Sequence, residues 1–553
     1  MRDHLLHHLL EDSAKKYPDN VAVVFKDASV TYADLGRQSS GLALRLAELG
    51  IKKGDRVGIM LPKSIESIVS LFGILKAGAI YVPIDPSAPL GRVGYIIKHC
   101  GIACLITSSR YLVSLSAYPG DRTALPKALV IDEDWHVPDG YDFPFECLPF
   151  ATAPDERQSV FQSMEMSDSS PAYILHTSGS TGNPKGVAIS HLNALTFVKM
   201  AADYFGISAS DRFCNHAPLH FDLSVFDVFV AVKCGATIVL LPEQLSTFPV
   251  KLAEYIAQEQ ITIWNSVSSV LKILADKGGL ERHCYDSLRI VHFSGDIMPV
   301  RYLRQLRDHM ANASFYNIYG QTEANSSLYY PIQELPADDS WRIPVGKPFP
   351  NFEVFALSDA GEVVGRTGEE GELYVNSSTV ALGYWGNDAM TREKFVPDPR
   401  CPFFTNTVYK TGDLVRIDEQ GNYVFTGRKD HMIKSRGYRI ELEEIETVLA
   451  SHPDIMTAVV LPIPDELVGN RIAVIIVPTD KRTMGKYDVI RHCASRLPNY
   501  MIPEIVEFRD SMPVTSSGKI DRKQLGDILV NTHAEEIGGR NTEVPEQPAG
   551  IRL

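Results

Sequence analysis

YILHTSGSTGNPKGV, residues 173–187, opens with an apolar, strand-like lead and turns into a run of small hydroxyl and glycine residues that ends at Lys185. Thr177, Ser178, Ser180 and Thr181 bring hydroxyl donors, Gly179 and Gly182 let backbone N–H groups come close to a bound anion, and Lys185 adds positive charge. Those are the properties of a loop that holds phosphate oxygens. Pro184 restricts its freedom, and the immediate return into Val-Ala-Ile argues against a solvated Ser/Gly linker. The spacing is not that of a P-loop: Gly179 stands six residues before Lys185, Pro184 directly precedes the lysine, and Gly186 follows where Ser or Thr is required.

At this stretch the chain resembles the adenylate-forming superfamily, which includes amino-acid-activating domains of nonribosomal peptide synthesis, acyl-CoA ligases and luciferases. The resemblance spans roughly residues 8–528, and further motifs follow in the superfamily's order. LKAGAIYVPIDPSAP (75–89) resembles an early motif of packing and turn geometry. NIYGQTEAN (317–325) resembles the Tyr-Gly-x-Thr-Glu motif, with Gln321 where peptide-synthesis domains more often carry Pro. The resemblance implies that Tyr319 stacks on adenine, that Thr322 donates to the α-phosphate, and that Glu323 holds Mg²⁺ bridging phosphate oxygens.

YKTGDLVRID (409–418) and GRKDHMIKSRGYRIELEEIE (427–446) imply, on the same resemblance, that Asp413 accepts from the ribose hydroxyls and Arg428 contacts ribose or phosphate. Asp430 then stands at the family's hinge, and Lys434 and Gly437 lie on the segment that faces the site after domain rotation. PVTSSGKIDRKQL (513–525) places Lys519 where the family carries its C-terminal catalytic lysine, whose compact charge offsets charge growing on reacting oxygens. Gly295, Asn317, Gly320 and Phe425 complete the implied ATP site.

HAPLHFDLSVFDVF sets Asp222 after Phe221, matching the aspartate by which amino-acid-activating members bind the substrate α-ammonium. A desolvated ammonium requires a paired anion; the competing reading makes Asp222 the N-cap of the following helix. The flanking motifs align Leu223, Phe226, Asn265, His292, Ser294, Ile318, Ser326 and Ser327 as pocket walls, which implies a small amino acid such as alanine, serine, glycine or proline. His292 is equally readable as a core residue.

The rest of the composition is permissive. The chain has 553 residues, 44% apolar, enough for two or more domains. Its net charge of −14 is spread along the chain, which excludes a general nucleic-acid surface. Eight cysteines show no zinc-ligand spacing and read as buried free thiols. MRDHLLHHLLEDSAKKYPD reads as an amphipathic surface helix, and no stretch reads as a signal peptide or membrane span, so a cytoplasmic protein is expected.

Short Val/Ile runs (VGIML, AIYVPI, ACLITS, ALVID) alternate with helical patterns such as SIESIVSLFGILKAG, which predicts parallel α/β layers. The expected fold class is α/β, with a large N-terminal domain of layered sheets (1–429) that includes a small β-barrel-like unit at about 345–429. A small mobile α+β domain (430–530) and a disordered tail (531–553) are expected to follow.

Thirty-four residues follow Lys519, too few for a carrier domain, and no Gly-x-Asp-Ser-Leu motif occurs. The expected reaction is therefore ATP-dependent adenylation of an amino acid and its transfer to the phosphopantetheine thiol of a separate carrier protein. A D-alanine–carrier protein ligase, an acyl-CoA ligase and a non-catalytic binding protein of the same fold stay open.

Overall fold

The computed structural model describes residues 4–116, 118, 126–132, 147–150, 164–404, 406–479, 484–513 and 520–532. The expected disordered tail lies outside the described residues, save for the end of the helix Arg522–Thr532.

Two large sheets form the body. One has eight strands in the order Gly383–Tyr384, Lys185–Ser190, Pro171–Thr177, Ile80–Pro83, Arg56–Met60, Ile102–Thr107, Lys127–Val130 and Cys147–Pro149. Its strands pair in parallel from Pro171–Thr177 onward, while Lys185–Ser190 runs antiparallel to both of its neighbours. The other has nine, with a parallel centre of Ser314–Gln321, Ile290–Ser294, Ile263–Val267, Arg212–Asn215, Thr237–Leu240 and Val21–Phe25. The continuous Val/Ile runs become these strands because both sheet faces are covered; Ile80–Pro83 and Thr237–Leu240 are buried at every position.

The largest core joins both sheets to the helices Leu6–Lys16, Tyr32–Glu48, Ile65–Lys76 and His191–Tyr204. Helices Pro249–Gln258, Ser268–Lys277 and Val300–His309 cover the far face of the nine-stranded sheet, and Leu90–Cys100 packs on the far face of the eight-stranded one. The N-terminal helix departs from the expected surface helix. His7 and His8 are buried with the leucines, and Leu6 N–H donates to His191 Nδ1 at 3.1 Å. Burial holds His7 well below the ordinary histidine range, so a neutral imidazole packs where a charged one would not.

A five-stranded antiparallel sheet spans Glu353–Leu357 to Tyr423–Arg428. Beyond it come the hairpin Met432–Ser435 with Tyr438–Glu441, the helix Leu442–Ala450, and a three-stranded sheet of Ile455–Asp465, Gly469–Pro478 and Ile505–Phe508, with separate apolar clusters packed around it. Among the described residues no helix is long and apolar enough to cross a membrane. All eight cysteines are free, but only Cys100, Cys104, Cys214 and Cys493 are buried as expected; Cys147, Cys234 and Cys401 are half-buried and Cys284 is exposed.

The strand that carries Lys185 ends in a reciprocal cap. Ser190 Oγ accepts from Asn193 N–H at 3.1 Å and Asn193 Oδ1 accepts from Ser190 N–H at 2.9 Å, which starts the helix His191–Tyr204. The Asn193 amide also donates to the carbonyls of Ser378 and Val380. Asn193→Ala removes the side-chain half of the cap, leaving Ser190 N–H without its acceptor and two carbonyls without a donor, so it is expected to cost about 2–3 kcal/mol, measured as a lower urea midpoint at unchanged slope.

Candidate active site

The loop between the strands Pro171–Thr177 and Lys185–Ser190 is the turn of an antiparallel hairpin. Its donors are taken by side chains and a backbone carbonyl from beyond residue 430. Gly179 N–H donates to Glu444 Oε2 at 3.0 Å, Ser178 Oγ donates to the Arg439 carbonyl at 2.8 Å, and Lys185 Nζ lies 3.4 Å from Glu441 Oε1. Ser180 and Thr181 are exposed, Thr177 Oγ1 is buried without a partner among the described residues, and Gly182 approaches Thr447.

Glu323 is fully buried. Its carboxylate accepts from Arg439 Nη1 at 2.9 and 3.0 Å and from the Tyr384 hydroxyl at 2.8 Å, with Lys185 Nζ at 3.8 Å. Burial pushes this carboxyl up, but Arg439 and Lys185 outweigh it and hold it at about 2. Burial and the neighbouring Arg439 depress the Lys185 ammonium.

Beside this network lies a cavity of about 400 Å³ lined by Gly295, Asn317, Tyr319, Asp413, Phe425, Arg428 and Lys434 among others. Asp413 accepts from the Tyr319 hydroxyl, from Arg428, and from Gln321 Nε2 at 2.6 Å. Arg428 also donates to Asp430 at 2.6 and 2.7 Å. Gln321, the departure from the familiar motif, is fixed in turn by the Tyr409 hydroxyl at 2.7 Å. Gly320 is required for close approach: a Cβ there would stand 2.2 Å from the Asn325 carbonyl oxygen. Asn317 is oriented by donating to the Pro344 carbonyl at 2.8 Å.

A second, smaller cavity of about 140 Å³ is lined by Asp222, Leu223, Phe226, Asn265, His292, Ser294, Ile318, Thr322 and Ser326 among others. Asp222 makes no side-chain cap to the helix Leu223–Val225; its carboxylate instead accepts from Thr322 Oγ1 at 2.7 Å. Burial raises its pKa, against the Thr322 hydrogen bond. His292 packs at 4.3 Å from the Phe205 ring and 4.9 Å from Phe226, and burial pushes it down to about 3, so it is neutral. Asn265 Nδ2 is spent on Asp227 Oδ1 at 3.2 Å.

Ser327 is a correction. It is buried with its hydroxyl turned to the Ala324 and Asn325 carbonyls, whereas Ser326 lines the cavity. The strand Asn325–Pro331 has a bulge here: Tyr319 pairs with Leu328 and Gly320 with Ser326, which leaves Ser327 as the extra residue, turned into the interior.

Sequence reasoning also missed Arg439, Tyr438 and Tyr500, and the aromatic floor residues Phe197 and Phe205, all of which line the smaller cavity. Gly437, with φ +80, presses on Val267, where a Cβ would stand 2.5 Å away. Lys434 and Gly437 both line the smaller cavity. Lys519 lies outside the described residues.

A family model described as AMP-binding enzyme matches residues 10–385, and one for the AMP-binding enzyme C-terminal domain matches residues 444–519. The chain belongs to this family of AMP-binding enzymes, in keeping with its resemblance to adenylate-forming enzymes. It is 35% identical over 521 residues to an L-proline–[L-prolyl-carrier protein] ligase of Pseudomonas fluorescens, covering 94% of this chain and 98% of that protein. It is 32% identical to tyrocidine synthase 1 of Brevibacillus parabrevis over 94% of this chain, which spans 44% of the synthase. The solved amide bond synthetase McbA from Marinactinospora thermotolerans matches with a TM-score of 0.81 at 26% identity, over 95% of this chain and 99% of that one.

Gln321→Leu removes a donor from Asp413 and leaves the Tyr409 hydroxyl unpaired. The expected outcome is a rise of about tenfold in KM for ATP with little change in KM for the acid substrate, read from steady-state kinetics.

Proposed function

We propose that this chain activates a small amino acid with ATP as an aminoacyl adenylate, releases pyrophosphate, and passes the acyl group to the phosphopantetheine thiol of a separate carrier protein. Asp222 carries the reading: a carboxylate on the wall of the smaller cavity that caps no helix and sits in a site whose burial calls for a cationic partner. Carboxylates without an α-ammonium need no such group. Similarity to a proline–carrier protein ligase over nearly its full length supports both halves of the reaction.

In the first half, one carboxylate oxygen of the substrate attacks the α-phosphorus and the bond to pyrophosphate breaks. In the second, a thiol adds to the acyl carbon and AMP leaves. Asp222 holds the ammonium, while Tyr319, Asp413 and Arg428 fix the nucleoside beside Asn317, Gly320, Gly295 and Phe425. Ser178, Gly179 and Lys185 hold the distal phosphates, and Lys519 neutralises the reacting oxygens. Positioning supplies most of the acceleration.

Phe205, Phe226 and neutral His292 close the floor of the cavity, so a short side chain fits: glycine, alanine, serine or proline. The cytoplasm, with its ATP and reducing poise, suits the free cysteines.

Glu323 suits Mg²⁺ by its chemistry, a hard oxygen donor held ionised at about 2. In this arrangement Arg439 and Tyr384 already engage its oxygens, so a metal there requires Arg439 to withdraw. Mg²⁺, when bound, offsets charge on the phosphate oxygens.

Pyrophosphate exchange across a panel of L- and D-amino acids and simple carboxylic acids tests the reading. Small amino acids are expected to support exchange, and Asp222→Ala to lower kcat/KM for the amino acid at least about a hundredfold while KM for ATP moves less than about threefold. Equal losses of both, or a preferred substrate without an α-amino group, would overturn it.

A further inference from the structure

His99 and Cys100 end the helix Leu90–Cys100, and His176 is the last residue but one of the strand Pro171–Thr177. The fold brings all three together. One ligand atom from each lies within 4.8 Å of the other two, and Cys100 Sγ stands 3.6 Å from His176 Nε2. A tetrahedral Zn²⁺, with Zn–S of about 2.3 Å and Zn–N of about 2.1 Å, sets its sulfur and nitrogen ligands roughly 3.6 Å apart.

The surroundings suit a soft cation. Burial pushes His176 down to about 3 and holds His99 below its ordinary range, so both imidazoles are neutral and each keeps a lone pair. His176 Nδ1 is buried with no partner among the described residues, so no donor there prevents Nδ1 from carrying the proton and leaving Nε2 free to ligate. Cys100 is 2% exposed, and burial pushes its thiol up to about 12. It is the last residue of an eleven-residue helix, whose C-terminal carbonyl dipoles favour positive charge.

The charged and titratable groups that face the cluster are engaged elsewhere. Arg56 donates to the carbonyls of Cys100 and Gly101, Arg92 is paired with Glu444, and Tyr95 stacks on the His99 ring at 5.2 Å.

We propose that His99, Cys100 and His176 form a binding site for a thiophilic cation of the Zn²⁺ type, which fastens the helix Leu90–Cys100 to the strand that leads into the Ser/Thr/Gly loop. Binding makes one Zn–S and two Zn–N bonds, and the Cys100 thiol proton passes to solvent. Water supplies the fourth ligand. A cavity of about 30 Å³, lined by Tyr95, His99, Gly186 and Trp385 among others, has room for it. His176 pairs with Gly186 across the hairpin, so the cation braces both arms of the loop. Mg²⁺, which takes oxygen ligands, is a poor match for this sulfur and nitrogen set. The site is independent of the substrate reading above.

The test uses the full chain, reduced and free of nucleotide, with CoCl₂ and ZnCl₂ as probes. Co²⁺ is expected to give the thiolate-to-metal charge-transfer band and the strong d–d bands of a tetrahedral site, both displaced by Zn²⁺. Cys100→Ser is expected to abolish the charge-transfer band, and His99→Gln and His176→Gln each to weaken zinc binding at least about tenfold. Cys284→Ser, at an exposed position, is expected to change neither. Zinc at about a hundred times its Kd is expected to raise the urea midpoint of the parent chain and not that of Cys100→Ser.

The parent chain also carries the test alone, should a variant fold poorly. Between pH 7 and 8, calorimetry in two buffers is expected to show about one proton released per zinc, with affinity rising about tenfold per pH unit. A parent chain that shows no charge-transfer band overturns the site, as does a band that Cys100→Ser leaves unchanged. Zinc bound equally by the parent and all three ligand variants is adventitious surface binding and overturns it too.

Discussion

A carboxylate sealed from water, Glu323, is the point on which the arrangement turns. Ionised at full burial, it requires positive charge around it, and it draws Arg439 across from the far part of the chain while holding Lys185 and Tyr384 in place. Lys185 then meets Glu441, and the neighbouring Glu444 closes over the loop at Gly179 and over Arg92. One charge requirement thus joins the turn of the eight-stranded sheet, the Tyr-Gly-x-Thr-Glu segment of the nine-stranded sheet and the hairpin beyond Asp430.

The second constraint is the division of labour between carboxylates. Glu323 is surrounded by cations and stays low; Asp222, with Thr322 as its hydrogen-bond donor, is pushed up by burial and is suited to an incoming ammonium. Asp413, between Tyr319, Gln321 and Arg428, is fixed by three donors at the wall of the larger cavity. Environment separates the roles of three chemically similar groups.

Much of this was legible in the sequence because it is local. The strands either side of the Ser/Thr/Gly loop, the Val/Ile strands and the helix at Ile65–Lys76 announce themselves by composition and period within a dozen residues. The contacts that close the site were not legible. Glu441 meets Lys185 across 256 positions and Arg92 meets Glu444 across 352, and no local pattern marks either pair. Similarly, His99 and His176 approach Cys100, with 3.6 Å between Cys100 Sγ and His176 Nε2, a grouping that no spacing motif shows. Ser327 was misplaced because a bulge in the pairing of its strand leaves it as an extra residue turned inward, and no local pattern marks that bulge. The N-terminal helix misled because histidine was read as polar; buried and neutral, it behaves as a core residue.

Recognition of an amino acid by the smaller cavity is proposed to run through Asp222. A calorimetric titration with two non-hydrolysable acyl-sulfamoyl adenosines, one with the α-ammonium of alanine and one with hydrogen in its place, isolates that contact. The ammonium-bearing compound is expected to bind at least about a hundredfold more tightly, and Asp222→Asn to abolish the difference. Equal affinity for the two compounds in the unaltered chain would contradict it.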